Sequence, residues 1–194
     1  MRIVAGTHKG RNLLSPPKGA AARPMTGSAK ESLFQILARH LPGAVVLDLY
    51  CGTGTLGMEA ISRGAARVAF AERDSTVVRR LERNIARLDA GDRCSVWRGD
   101  VTVQLASWLD ELDAAVDVAF VDPPYAATRR WDWTRVAQRV FRPLAAHLAA
   151  DGVVVLRLPD DVPAPESIAG LVARRVKSYG DMTVTLLRRG EEAG

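Results

Sequence analysis

From Ala44 onward, short runs of β-branched and aliphatic residues alternate with stretches whose apolar residues recur at helical spacing. Runs such as Val-Ala-Phe-Val at 118–121 contain no polar residue, as expected for strands buried on both faces of a parallel sheet. The alternation predicts an α/β fold with a Rossmann-like, mostly parallel sheet joined by crossover helices. The predicted strands are 45–49, 67–71, 94–98, 116–121 and 153–158, and the predicted helices lie around 56–63, 75–88, 101–112 and 134–148.

The end of the chain departs from this alternation. Residues 174–178 and 182–187 are separated by the turn sequence Tyr-Gly-Asp, which is typical of a β-hairpin. We therefore expect a C-terminal antiparallel hairpin at one edge of the sheet. Open α/β sheets bind ligands beyond the carboxyl ends of their parallel strands, where the strand order reverses. Functional residues are therefore expected directly after each strand.

The first forty residues differ in pattern and in charge. Residues 2–5 and 11–14 flank a turn bounded by glycines, which predicts a β-hairpin, and a helix is expected over 28–41. This segment carries seven cationic side chains and one anionic one, whereas the rest of the chain sums to −1. Clustered cations favour a surface that faces a polyanion. We predict a basic extension over 1–24 and a catalytic domain over 25–194, and the cations expected to face nucleic acid are Arg2, Lys9, Arg11, Lys18 and Arg23.

Composition excludes several classes of protein. No stretch approaches the run of about 18 apolar residues that spans a bilayer, and the N-terminus lacks the apolar core of a secretory signal. The two cysteines are too few for a disulfide framework or a zinc site. We therefore expect a cytoplasmic protein with reduced thiols, no metal and no membrane association.

A glycine-rich turn, DLYCGTGTLG at 48–57, follows the first predicted strand. Its spacing also matches the dinucleotide fingerprint GxGxxG, so a nicotinamide-dependent dehydrogenase is one alternative and a structural turn is another. Asp48 would repel a diphosphate, however, and suits a cationic ligand such as the amino group of S-adenosylmethionine. We predict that Asp48, Gly52 and Gly54 help to bind that cofactor.

Acidic residues also end or follow the next two strands. Glu72 lies at about the distance from the glycine turn at which a carboxylate binds ribose hydroxyls, and a solvated helix start is the alternative. We expect the neighbouring Asp74 to cap the following helix. Asp100 has two open roles, because it could accept from an adenine amino group or cap the helix that begins at Val101.

The tetrapeptide Asp-Pro-Pro-Tyr at 122–125 follows the fourth predicted strand and carries the most specific chemistry. The amino group of a nucleobase is a poor nucleophile, because its lone pair is delocalised into the ring. The Asp122 carboxylate and the Pro123 carbonyl would each accept one N–H and direct that lone pair at a methyl group. Pro123 and Pro124 fix the backbone, and Tyr125 would stack on the base. The alternative is a strand-ending turn with a core tyrosine.

Taken in order and spacing, DLYCGTGTLGMEAISRGA, AERD, RGD and DPPY resemble class I S-adenosylmethionine-dependent methyltransferases. With MRIVAGTHKGR, RPMTGSAKESLF and YGDMTVTLL, nearly the whole chain resembles the bacterial 16S rRNA guanine-N2 methyltransferases of the RsmD type. The chain departs from that family at Met-Thr-Gly-Ser (25–28), where the family usually has Thr-Thr-Asp-Arg. The resemblance implies that the cofactor is contacted by Asp48, Gly52, Glu72 and Asp100. It implies that the target amine is held by Asp122, Pro123 and Tyr125. It also implies that the segment from Arg23 to Thr26 lies against the cofactor site. We also predict that Tyr50, Arg73 and Thr26 contact the cofactor.

The expected reaction is direct methyl transfer from S-adenosylmethionine to the N2 amine of a guanine in 16S rRNA, without metal or covalent intermediate. The expected partner is 16S rRNA, within the 30S subunit or an assembly intermediate, and we expect a monomer. Alternatives are an amino-methyltransferase for DNA adenine or protein glutamine, and a non-catalytic RNA-binding assembly factor.

Overall fold

Eight strands form one sheet in the computed structural model, which describes residues 1–17 and 25–190. They are β1 (Val45–Leu49), β2 (Arg67–Glu72), β3 (Cys94–Arg98), β4 (Val116–Val121), β5 (Leu148–Pro159), β6 (Ser167–Ile168), β7 (Leu171–Tyr179) and β8 (Met182–Arg189). Their order in the sheet is β3-β2-β1-β4-β5-β8-β7-β6. Strands β1 to β5 are parallel, and β8, β7 and β6 extend the sheet with antiparallel pairs. The predicted α/β class and C-terminal hairpin are confirmed, and the short β6 was missed.

Helices cover both faces of the sheet. One face carries α1 (Gly27–Ile36), α2 (Thr55–Ser62) and α3 (Ser75–Arg87), and the other carries α4 (Val101–Asp110) and α7 (Arg142–His147). Two short helices, α5 (Tyr125–Thr128) and α6 (Trp133–Val136), follow β4. The helix predicted over 134–148 is divided, because a π-helical stretch at Ala137–Phe141 separates α6 from α7, and β5 already begins at Leu148. The helix predicted over 28–41 ends at Ile36, and a 3-10 turn follows it at Ala38–His40.

The core lies on both sides of the sheet because successive strand residues point to opposite faces. Phe120 packs against Phe34 of α1, with ring centroids 5.7 Å apart, on the side of α1 to α3. The next residue, Val121, belongs to the cluster on the other side, with Leu105 and Phe141. Each such buried side chain stabilises the fold by about 1.5–3 kcal/mol.

The N-terminal segment folds back on itself as predicted, although it forms an isolated bridge, Arg2 to Asn12, rather than two regular strands. It also packs against the body of the molecule. Ile3 and Leu13 are buried in the core beside α1 and α2, and the Glu59 carboxylate accepts from the N–H groups of Val4 and Ala5 at 2.9 and 3.0 Å. The basic segment is therefore held in a fixed position relative to α2.

The order of the strands opens a crevice beside β1. The chain proceeds from β1 outward to β2 and β3, then returns to place β4 on the other side of β1. The strand order reverses at β1 and β4, so the loops after these strands diverge and leave room for a ligand. Among the helices of the described residues, none is both long and apolar enough to cross a bilayer.

Candidate active site

A cavity of about 300 Å³ opens at the carboxyl ends of the parallel strands, within the size range of small-molecule sites. The loops after β1 to β4 form its floor and walls, and Met1, Pro16 and Met25 contribute to its rim. The structure thereby brings together most of the residues predicted for the site, namely Tyr50, Gly52, Glu72, Arg73, Asp100, Asp122, Pro123, Pro124 and Tyr125.

The two glycines of the turn after β1 have different surroundings. Both adopt left-handed backbone, with φ of 57° at Gly52 and 81° at Gly54. A Cβ at Gly52 would meet nothing within 4 Å, because this residue faces the open cavity. A Cβ at Gly54 would lie 2.4 Å from a methyl carbon of Leu81 on α3. Gly54 therefore lets the loop pack on α3 and does not line the cavity.

Asp48 lies beneath the glycine turn and is only 1% exposed. Its Oδ2 accepts from the N–H of Gly57 at 2.8 Å, which fastens the end of β1 to the first turn of α2. Burial raises the pKa of Asp48 well above its usual range, with smaller contributions from the carboxylates of Asp122 and Glu72. Asp48 does not line the cavity, so its predicted cofactor contact stays a prediction.

Glu72 ends β2 and lines the cavity, but its carboxylate already accepts three backbone hydrogen bonds. Oε1 accepts from the N–H groups of Arg73 and Asp74 at 2.8 and 2.9 Å, and Oε2 accepts from that of Gly52 at 3.0 Å. A carboxylate has about four acceptor sites. Glu72 therefore braces the glycine turn, and Oε2 keeps capacity for one further donor.

Helix capping explains two of the remaining acidic residues. Asp74 accepts from the N–H groups of Thr76 and Val77 at the start of α3, so the predicted cap is confirmed. Asp100 caps α4 through the N–H of Thr102 at 2.8 Å and also lines the cavity. Hydrogen bonds from Thr102 and the nearby Arg73 lower the pKa of Asp100, although partial burial opposes them. Of its two open roles, capping is observed and a contact with adenine stays a prediction.

The turn after β4 is held rigidly at the floor of the cavity. The N–H of Asp122 donates to the carbonyl of Leu49 at 3.3 Å, which ties the ends of β4 and β1 together. Pro124 precedes α5, and its carbonyl accepts from the N–H of Ala127 at 2.8 Å. Burial raises the pKa of Asp122 to about 6, although Arg157 has the opposite effect.

Arg157 of β5 is a site residue that the sequence analysis missed. It is 5% exposed and lines the cavity, and its Nε lies 2.7 Å from Oδ1 of Asp122 in an ion pair. Its guanidinium also lies over the ring of Tyr125, 5.5 Å from the ring centroid. The available signal was a single cation in the apolar run Val-Val-Val-Leu-Arg-Leu (153–158).

Comparison with known proteins identifies the family. The family model described as "Conserved hypothetical protein 95" matches residues 1–188. The chain belongs to this family. It is an RsmD-type class I methyltransferase, and the resemblance noted in the sequence is thereby confirmed.

Two relatives and one solved structure show how far the similarity extends. The chain is 29% identical over 189 residues to YlbH of Bacillus subtilis, a candidate rRNA methyltransferase, covering 97% of this chain and 99% of that protein. It is 36% identical over 125 residues to ribosomal RNA small subunit methyltransferase D of Escherichia coli K12, a match that spans 64% of this chain and 60% of that relative. The structure of yhhF, a candidate methyltransferase of Escherichia coli, superposes with a TM-score of 0.76 at 28% identity and 97% coverage of both chains.

Membership of this methyltransferase family implies S-adenosylmethionine as cofactor, and the cavity suits such a ligand. Tyr50 Oη and Thr53 Oγ1 are buried beside the cavity, and neither has a hydrogen-bond partner among the described residues. Buried polar atoms of this kind are satisfied when a polar ligand binds. The open space at Gly52 provides the close backbone approach that a ligand requires.

Thr26, which was predicted to contact the cofactor, does not line the main cavity. Thr26 accepts from the N–H of Ala29 at the start of α1 and lines a neighbouring hollow with Tyr125 and the turn at 179–181. Its predicted cofactor contact stays a prediction. Lys18 and Arg23, predicted to face RNA, lie outside the described residues.

Proposed function

We propose that this chain transfers a methyl group from S-adenosylmethionine to the N2 amine of a guanine in 16S rRNA. The observation that carries the proposal is the position of the Asp-Pro-Pro-Tyr turn, which lines the same cavity as the glycine turn after β1. The names of relatives add the substrate class, since several are small subunit rRNA methyltransferases.

The cofactor would lie along the loops after β1, β2 and β3. Gly52 and Tyr50 would contact it at the glycine turn, with Gly54 and Asp48 supporting that turn from below. Glu72 would bind one ribose hydroxyl through Oε2, because the other acceptor sites of its carboxylate are occupied by backbone N–H groups. Asp100 would accept from the adenine amino group, and Arg73 would lie beside it in the same cavity. Thr26 would contact the cofactor from the neighbouring hollow.

The target amine would be held at the turn after β4. Bound S-adenosylmethionine supplies an electrophilic methyl group on a sulfonium sulfur. The Asp122 carboxylate and the Pro123 carbonyl would each accept one N–H of the amine, and Tyr125 would stack on the base. Transfer would form the nitrogen–carbon bond while the carbon–sulfur bond broke, and the electron pair of that bond would stay on sulfur. The amine would then lose one proton to Asp122 or to water. In this proposal catalysis rests on holding the amine in position for attack on the methyl group.

The cationic surface supports an RNA substrate. Arg2, Lys9 and Arg11 are exposed, and Arg11 Nη1 donates to the carbonyl of Arg87 on α3 at 3.2 Å. The same helix exposes Arg79 and Arg83 and reaches the cavity through Val77. Cations therefore extend from the N-terminal segment along α3 towards the mouth of the cavity. We propose that this surface binds the phosphates that flank the target guanine.

Radiolabel transfer tests the proposal. The purified protein would be incubated with labelled S-adenosylmethionine and, in parallel, with 30S particles from a strain that lacks this gene, naked 16S rRNA, duplex DNA and ribosomal proteins. We expect label in 16S rRNA, from one or both of the RNA substrates. Label confined to DNA or to protein would contradict the proposal and support an alternative amino-methyltransferase.

A further inference from the structure

The position of Arg157 follows from the pairing of β4 and β5. Leu156 pairs with Val121 in the parallel register, so Arg157 lies beside Asp122, the first residue after β4. Its neighbours along the strand, Leu156 and Leu158, are buried in the core. A guanidinium is costly to bury unless a partner compensates its charge. The Asp122 carboxylate is such a partner, since Arg157 Nε and Asp122 Oδ1 are 2.7 Å apart.

Arg157 contacts two parts of the proposed amine site at once. Besides the ion pair with Asp122, its guanidinium lies over the Tyr125 ring, with the carbon at its centre 5.5 Å from the ring centroid. All three residues line the same cavity. An arginine in this arrangement fixes the direction of the carboxylate and the position of the ring that would stack on the base.

We propose that Arg157 is a positioning residue, which keeps the Asp122 carboxylate ionised and oriented so that Oδ2 accepts from the target amine. This inference rests on the proposed function, because it assigns a role to Arg157 in the same site. Arg157 itself forms no bond to substrate in this proposal and acts through Asp122.

The charges around Asp122 explain why Arg157 has this effect. The titratable groups near Asp122 are Arg157 from β5, which pairs with it, and Asp48 from β1. Burial raises the pKa of Asp122 to about 6, and the Arg157 guanidinium keeps it from rising further. Removal of that cation leaves the effect of burial, which favours the protonated carboxyl.

The first measurement is the ionisation of Asp122 in the protein without cofactor or RNA. Carbon-13 NMR of labelled aspartate side chains would follow the titration, with Asp122→Asn used to assign the signal. We expect Arg157→Met to raise the midpoint of Asp122 by about one to three pH units, and Arg157→Lys to restore most of the difference. Arg188→Met is the matched control, because Arg188 pairs with the exposed Asp151 on the surface. An unshifted midpoint in Arg157→Met would overturn the inference.

The second measurement is the pH profile of kcat for methyl transfer, from about pH 5 to about pH 9. If the midpoint of Asp122 rises by about two units, Arg157→Met loses about tenfold in kcat at neutral pH and recovers at alkaline pH. A purely structural role would lower kcat equally at every pH, and that result would contradict the proposal. If Arg157→Met fails to fold, Arg157→Gln replaces it. The proposal then requires the same shift in the pH at which kcat falls on the acidic side of the profile.

The two measurements separate this inference from the proposed function. If the wild-type protein methylates no RNA, the proposed function fails, while the NMR titration still decides whether Arg157 controls the ionisation of Asp122. If the wild-type protein methylates 16S rRNA and Arg157→Met keeps the wild-type pH profile, only the role of Arg157 is wrong.

Discussion

Asp122 is the residue on which the proposed amine chemistry depends. Asp122→Asn keeps an oxygen acceptor and the shape of the side chain but removes the charge. We expect methyl transfer to fall by about 10²-fold or more, because the developing positive charge on the amine is no longer stabilised. The affinity for S-adenosylhomocysteine, measured by titration calorimetry, should stay unchanged. The control is Asp161→Asn, since Asp161 pairs with Arg129 at an exposed position. Near-wild-type kcat in Asp122→Asn would remove Asp122 from the mechanism.

Asp48 carries a prediction about stability and pH. Its pKa is raised in the folded protein, so the folded state disfavours the charged form. The protonated carboxyl therefore contributes its full stabilisation at pH values below the pKa that Asp48 has in the unfolded chain. This contribution is lost as the pH rises through the pKa that Asp48 has in the folded protein. Asp48→Asn should flatten this decline in the free energy of unfolding, by up to about 1.4 kcal/mol per pH unit. Denaturant titrations at several pH values test this, and an unchanged slope would contradict it.

Glu59 shows what a local pattern cannot reveal at the scale of a residue. It is fully buried in α2, where its carboxylate pairs with Lys30 of α1 at 3.1 Å and with Arg63 at 2.9 Å. It also accepts from the amides of Val4 and Ala5, 55 and 54 residues away along the chain. An acidic residue on an amphipathic helix is ordinarily exposed. Only the assembled fold places these donors around it.

At the scale of elements, the glycine turn offers a comparison between positions of similar backbone. Gly54→Ala would place its methyl group against Leu81, so we expect it to lower the free energy of unfolding by about 2–4 kcal/mol. The methyl group of Gly52→Ala would point into open space, so we expect only the strain of the left-handed backbone to lower the free energy of unfolding, by about 1–2 kcal/mol. The same substitution should weaken the binding of S-adenosylhomocysteine.

Gly10→Ala is the matched control for this pair. Gly10 has a φ of 86° with nothing near its Cβ, and it lies in the N-terminal turn. It should therefore show the strain without any loss of ligand affinity. Thermal unfolding and calorimetric titration of the three variants test the comparison. If Gly52→Ala and Gly10→Ala bind the ligand equally well, the glycine turn does not contact the cofactor.

The parallel strands were predictable from sequence because burial on both faces leaves a continuous apolar run. The ends of the helices were less predictable. The apolar spacing predicts one helix over 134–148, yet the π-helical stretch at Ala137–Phe141 divides it. Hydrophobic spacing does not reveal such a change of backbone hydrogen bonding. The ion pair of Asp122 with Arg157 depends on the register of β4 against β5, and a single sequence does not contain that register.

At the scale of the whole molecule, the two faces of the sheet differ in their expected contact with RNA. Arg83 and Arg87 are exposed on α3, on the same face as the basic N-terminal segment. Arg139 and Arg142 are exposed on the other face, near α7. We expect Arg83→Ala with Arg87→Ala to weaken RNA binding and to reduce the slope of log K against log salt by about one to two.

The matched control for this surface is Arg139→Ala with Arg142→Ala, which removes the same charge from the opposite face. It should leave the salt slope unchanged. Fluorescence anisotropy with a labelled rRNA fragment at several salt concentrations provides the measurement. Equal loss in both double variants would mean that only net charge matters, and the cationic surface along α3 would not be a binding site.

The most direct measurement of the reaction itself is mass spectrometry of nucleosides from 16S rRNA that the purified protein has methylated. N2-methylguanosine should accumulate at one position with the wild-type protein and be absent with Asp122→Asn. A different methylated nucleoside, such as a ring-nitrogen or ribose product, would contradict an exocyclic amine held by Asp122 and the Pro123 carbonyl.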